Sequence, residues 1–273
     1  MRRPTPLRHL LLTVSLFSLL TACAPSTITT TTYSLRPVSG DVATLDGKPV
    51  TRAEQNGVAV VASFERDEDD LVALDVEIKN LTDHAIDVNP ADFRLLALGE
   101  AHDTLTDPVN NALPLTRQAA DPSYESGRVV QARKVEEKRL KRAKILNTVL
   151  MVAAVASDVS SSSRSRSYGE YVNNRITHNI AYQAIAVKRA INYGNFANRM
   201  QRLDYEDYRW RELALRAQTL QPGSTVRGLV YLPKLTAARY LSIDYTIPEQ
   251  ASIPLLFEQQ QGTQTVSKRR RGR

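Results

Sequence analysis

The chain has 273 residues, 36 of them basic and 29 acidic, for a formal net charge of +7. Five of the cations sit in the last six residues, Lys268 to Arg273, and three more lie at the N-terminus, Arg2, Arg3 and Arg8, which leaves 28 basic against 29 acidic in between. A body so close to neutral excludes the broad basic surface that nucleic-acid binding needs, so no nucleic-acid partner is expected. There is one cysteine, Cys23, so no intramolecular disulfide can form, and stability must come from packing.

The opening stretch, "MRRPTPLRHLLLTVSLFSLLTAC", reads as an arginine-marked n-region, an apolar run from Leu10 to Leu20, and small residues before the cysteine. That run is too short to cross the ~30 Å hydrocarbon layer of a bilayer as a helix. Leu20, Thr21, Ala22 and Cys23 together resemble a bacterial lipobox. The resemblance implies a lipoprotein signal peptide over residues 1–22. Cys23 would then be the acylated first residue of the mature chain, and acyl chains on it would be a membrane anchor. Ala24 in place of an aspartate implies, by the same resemblance, an outer-membrane destination facing the periplasm.

Residues 23–54 read as a lipid-anchored threonine-rich tether, "APSTITTTTYS", and an irregular lead-in with turn residues at Gly40, Asp46 and Gly47. Alternation of period two fills 55–121. Val58, Val60, Ala62 and Phe64 share one face, and the acidic run "ERDEDD" reads as a turn. Val72, Leu74, Val76 and Ile78 share the next face; Ile86, Val88, Phe93, Leu95 and Ala97 follow. The pattern resumes over 209–260. There "ELALRAQTL" reads as a strand, Pro222-Gly223 as a turn, and Val226 to Leu232, Leu241 to Ile247 and "PLLFEQQ" as further strands. The expected fold is mainly β, an antiparallel sandwich interrupted by a helical hairpin. Residues 261–273 read as a basic, disordered tail.

Two segments carry a second resemblance: "VEIKNLTDHAIDVNPADFRLLAL" and, far along the chain, "LQPGSTVRGLVYLP". With Asn80, Thr82, Leu220, Pro222, Gly223, Gly228 and Val230 at the matching positions, they are similar to the immunoglobulin-like (telokin-like) domain of bacterial extracytoplasmic lipoproteins of uncharacterised function. The resemblance covers residues 55–100 and 211–258. It implies an immunoglobulin-like sandwich and says nothing of activity. The chain departs from such a domain by about a hundred residues between the two halves.

Those residues, 122–208, have helical character. From Arg128 to Lys144 the first half carries eight cations, Arg128, Arg133, Lys134, Lys138, Arg139, Lys141, Arg142 and Lys144, against Glu136 and Glu137. The second half, Ile145 to Ala156, is apolar almost all round, and "SDVSSSSRSRS" is expected to break the helix. A second helix is expected from Tyr168 to about Leu203. On it Ile176, Ile180, Ala184, Val187 and Ile191 form a stripe expected to be buried. Tyr171, Tyr182 and Tyr193, eleven residues apart, drift only ~20° per step and form another stripe, flanked by Arg175, His178 and Arg189. Three destinations are open for Ile145–Ala156: packing on the second helix and sandwich, burial against an envelope protein or a second copy, or insertion at a membrane interface.

Enzymatic motifs are lacking. His84, His102 and His178 are widely spaced, and no nucleophile elbow, phosphate loop or dinucleotide fingerprint occurs. The carboxylates Glu65, Asp67, Glu68, Asp69 and Asp70 read as a solvated turn rather than a calcium loop. No cofactor and no metal are expected. The expectation is a lipid-anchored envelope protein with a non-enzymatic binding or assembly role, its interaction surface on Tyr171, Tyr182, Tyr193, Arg175 and Arg189. The competing reading is an envelope hydrolase or a hydrolase accessory.

Overall fold

The computed structural model describes residues 27–247 and 251–267. Residues 1–26, with the expected leader, the lipobox Leu20, Thr21 and Ala22, and Cys23, lie outside the described residues, as do residues 268–273.

The strands run β1 (Thr27–Pro37), β2 (Asp41–Leu45), β3 (Lys48–Gln55), β4 (Val58–Glu68), β5 (Leu71–Asn80), β6 (Ile86–Val88), β7 (Phe93–Leu98) and β8 (Thr116–Gln118). After the helical insertion come β9 (Gln218–Leu220), β10 (Thr225–Pro233), β11 (Tyr240–Ile247) and β12 (Ala251–Ser267). One sheet has the order β1-β12-β11-β7-β8, the other β10-β5-β4-β3-β2, and β6 pairs with β9. All these pairings are antiparallel.

The two large sheets close on one apolar core, and the alternating residues supply it. Val58, Val60 and Ala62 of β4 and Leu74, Val76 and Ile78 of β5 are buried with Phe93 and Leu95 of β7 and Leu241, Ile243 and Tyr245 of β11. Phe93 and Tyr245 stack at 4.3 Å between ring centroids across β7 and β11. The fold is therefore mainly β with an α insertion, as the periodicity indicated.

Three parts differ from the sequence reading. The expected tether and lead-in are strands: Thr27–Pro37 pairs along its whole length with β12, from Thr27 opposite Ser267 to Pro37 opposite Phe257. Threonine is β-branched and suits a pleated strand without contributing to a hydrophobic pattern, which hides such a strand from a periodicity search. The β2–β3 and β3–β4 turns are Asp46-Gly47 (φ 51° and 79°) and Asn56-Gly57 (φ 50° and 78°), the left-handed pair that tight hairpins need. For the same reason residues 261–267, expected in the disordered tail, are the end of β12.

The acidic run is the second difference. β4 continues to Glu68, past an irregularity between Phe64 and Arg66, so only Asp69 and Asp70 turn. Its carboxylates disperse: Glu65 pairs with Lys48, Asp67 with Lys234, and Glu68 with Arg66 at 3.4 Å and Arg209 at 3.5 Å.

The third difference is the length of the insertion's helices, α1 (Pro122–Arg164) and α2 (Tyr168–Tyr208). At ~1.5 Å per residue each exceeds 60 Å. Asp121 caps α1 by accepting from Ser123 N–H at 2.8 Å, with Pro122 in the first turn. The serine run does not end it. Ser161 and Ser163 hydroxyls donate to the carbonyls three residues back, at 3.1 and 3.0 Å, which satisfies the hydroxyls inside the helix. Ser167 caps α2 from Glu170 N–H at 3.2 Å. Beyond α2 the chain makes one wider turn over Arg209–Leu213, so the strand expected across "ELALRAQTL" is reduced to β9 and an isolated parallel bridge of Ala214 to Leu229.

Candidate interaction surface on the helical hairpin

The hairpin meets the sandwich at a second, small cluster: Val129, Trp210 and Ala214 against Ala73 of β5 and Tyr231 of β10. Trp210 meets Tyr231 edge-on at 4.9 Å. The buried Arg209 guanidinium lies 4.5 Å from the Trp210 ring and 3.5 Å from Glu68, while Tyr205 donates its hydroxyl to Glu68 at 2.5 Å. That hydrogen bond holds the Tyr205 phenol above its ordinary value. Burial, aided by the Glu68 charge, pushes the Tyr231 phenol up to about 12. Arg133 of α1 pairs with Asp204 of α2 at 2.7 Å, and Arg199 with Glu136 at 2.9 Å. A shallow open cleft of about 970 Å³ lies beside this joint, with Asp69, Tyr124, Arg128 and Trp210 in its wall.

Beyond the joint the helices touch each other along a seam whose most buried residues are polar and which also holds the half-buried Leu150, Ala154, Ala181 and Ile185. Asn147 and Asp158, only 7 % and 9 % exposed, are the buried residues of this distal stretch. Asp158 accepts from Tyr182 hydroxyl at 3.1 Å, from Arg175 at 3.2 Å and from Ser162 at 3.3 Å. Desolvation and that hydrogen bond raise the Tyr182 phenol above its usual range. Ser161 and His178 lie 2.7 Å apart, and Asn174 donates to Ser165 at 3.2 Å.

Most of the large apolar residues point the other way. Val152 is 63 % exposed and Ile180 62 %; Ile145, Leu146, Val149, Met151, Val155 and Val159 of α1 and Ile176, Val187 and Ile191 of α2 are exposed as well. The stripe expected to be buried on α2 is thus its outer face, and Ile145–Ala156 does not pack on the sandwich. The inference from periodicity failed because a stripe at helical spacing shows that a helix is amphipathic, not which of its faces meets the protein.

The tyrosines chosen from the sequence lie toward the seam. Tyr171, Arg175 and Tyr182 gather near Asp158 around a hollow of about 360 Å³. Tyr193 and Arg189 belong to a separate groove of about 650 Å³ nearer the sandwich, where Lys144 lies 5.5 Å and Arg189 5.8 Å from the Tyr193 ring centre. Asp158, Asn147 and Ser161 went unnoticed in the sequence; the available signal was that Asp158 is the one charged residue between Lys144 and Arg164. As chemistry, this seam orders side chains. Asp158 accepts from Arg175, Tyr182 and Ser162, and the Ser161–His178 contact is a separate pair in the same seam. Among the described residues no group of three or more metal-ligating side chains occurs.

Compared with known proteins, the chain matches no family model, no curated protein and no solved structure.

Proposed function

We propose that this chain is a lipid-anchored cell-envelope protein with a non-enzymatic binding or assembly role, and that the distal half of the helical hairpin is its interaction surface. The anchor rests on the lipobox resemblance at Leu20 to Cys23. One observation carries the assignment of the surface: from Ile145 to Val159 all the large apolar side chains of α1 except the half-buried Leu150 are turned to solvent, on a hairpin packed against the sandwich at its base. Soluble proteins seldom leave so continuous an apolar surface uncovered unless something binds there.

The test has two arms. Cys23→Ser should move the protein from the membrane fraction to the soluble fraction. Excising residues 144–189, which spares the joint at Val129, Arg133 and Trp210, should leave a cooperatively folding sandwich that loses its cross-linked partners in the envelope. Unchanged cross-links after the excision would place the interaction elsewhere on the protein.

A further inference from the structure

We propose that the occupant of this surface is the hydrocarbon of an anionic bilayer, into which the distal hairpin inserts between two layers of cations. This rests on the reading of the hairpin as the interaction surface and names what it meets.

Polarity is the first argument. In water a helical hairpin is stable with apolar residues in the seam and polar ones outside. Here Asn147 and Asp158 are the most buried residues of the seam, with Ser161 and His178 beside the half-buried Leu150, Ala154, Ala181 and Ile185, while Ile145, Leu146, Val149, Met151, Val152, Val155 and Val159 face out. That inversion suits a lipid solvent, in which an ionisable residue turns to the interior and finds its partners there. Asp158, with Arg175 and Tyr182, does so.

Dimensions agree. Lys144 and Arg164 bracket the low-charge part of α1, and twenty helical steps of ~1.5 Å separate them by ~30 Å, the thickness of a hydrocarbon core. Within α1 an eighteen-residue window reaches a mean hydropathy of 1.4 with 11 % of it buried. On α2, Tyr171 and Tyr193 stand ~33 Å apart by the same rise, at the levels where aromatic residues line membrane interfaces.

The width of the surface and its charge favour lipid over a second copy. At ~100° per residue, the exposed side chains from Ile145 to Val159 cover roughly 220° of the circumference of α1, far more than the stripe a packed helix covers. Two copies, in either orientation, would also bring cations against cations at both ends, Lys144, Lys188 and Arg189 at one and Arg164 and Arg166 at the other. Those same cations match headgroup phosphates. On α2 the exposed Asn179 and Gln183 interrupt the apolar stripe, so α1 makes the greater contact with acyl chains.

The test uses the full chain with Val152→Cys carrying an environment-sensitive fluorophore, and a second protein labelled at Val135→Cys, in the cationic part of α1 outside the bracket. Wild-type chain labelled in parallel reports whether Cys23 is blocked by acylation, so a failure of the anchor shows separately. With phosphatidylglycerol-containing vesicles the Val152 probe should shift to the blue and be quenched by nitroxides on the acyl chains, whereas the Val135 probe stays aqueous. Val149→Asp on the Val152→Cys background should abolish both signals without loss of helical circular dichroism. A Val152 probe that stays aqueous on vesicle-bound protein overturns the proposal. So does a Val152 probe buried without vesicles in a dimer of defined mass, which would assign the surface to a second copy.

Discussion

The side-chain amide of Asn80 donates to the carbonyl of Leu220 at 2.9 Å, joining the end of β5 to a strand 140 residues further along the chain. The same amide donates to the His84 carbonyl at 2.7 Å, and its oxygen accepts from Thr82 N–H at 2.9 Å and Thr82 hydroxyl at 2.6 Å. Main-chain bonds from Asn80 N–H to Ser224 and from Gly223 N–H to Asn80 complete the clasp. The two parts of the sandwich that flank the helical insertion therefore meet at one fully buried side chain.

Asn80→Ala leaves the buried Leu220 carbonyl without its side-chain donor, whereas the His84 carbonyl still accepts from the Thr82 hydroxyl. The expected loss is about 2–3 kcal/mol of unfolding free energy, read as a lower urea midpoint. A variant as stable as the parent would show that the clasp is incidental.

Gly228 faces the segment that returns from the hairpin. A Cβ there would fall 2.6 Å from the Leu215 Cα, while Leu215 N–H bonds to the Leu229 carbonyl at 2.9 Å. Gly228→Ala should push Ala214 and Leu215 off β10, destabilise by about 1–3 kcal/mol, and speed amide exchange at Leu215.

The joint has its own reporter, since Trp210 is the one tryptophan in the chain. Removing the Glu68 charge leaves Arg209 buried beside Trp210 without that counter-ion. Glu68→Ala is expected to cost about 3 kcal/mol and to shift the Trp210 emission at lower denaturant than in the parent. Emission unchanged across the titration would mean that the hairpin base is held by Val129 and Ala214 alone.

Two buried phenols set an alkaline limit. Burial raises Tyr245, with the nearby Asp92 charge adding to it, and raises Tyr231 to about 12. Both keep their protons to higher pH in the folded chain than in the unfolded one. Their contribution is complete below about pH 10 and falls as pH rises through the folded values. Tyr245→Phe removes one of these ionisations and should move the alkaline unfolding midpoint upward.

Asp92 works in the same sense at the acid end. Burial raises its carboxyl above the ordinary value, so folding prefers its protonated form. Stability from this group is full below about pH 3.8 and declines as pH rises through the raised value. Asp92→Asn should thus melt higher than the parent at neutral pH and equally at pH 3, a comparison that thermal scans at both pH values decide.

The core strands were legible in the sequence because large apolar residues recur at every second position in Val58–Phe64, Val72–Ile78 and Leu241–Ile247, although the small Ala59, Ser63 and Ala73 between them are buried as well. β1 was not, because its threonines carry strand preference without hydrophobic contrast, and β2 is exposed throughout. The helices were legible from composition, but their ends were not: Ser161 and Ser163 satisfy themselves on the helix instead of terminating it. The orientation of α2 was hidden for a different reason. Ile176 and Ile180 mark a face, and only the position of Asp158 on the neighbouring helix, which binds Tyr182, fixes that the face turns outward.

The register of β1 against β12 has a consequence for how the protein would sit on its anchor. Thr27 lies opposite Ser267, so the chain enters and leaves the sheet at one corner. If Cys23 carries acyl chains as proposed, the four steps from it to Thr27 can span at most ~14 Å. That is a short leash, and the cluster of basic side chains that begins at Lys268 starts from the same corner. Lipid glycerol and basic terminus would then share one small patch of headgroups, and lengthening the leash with an inserted glycine-serine stretch would separate the two without touching the sandwich.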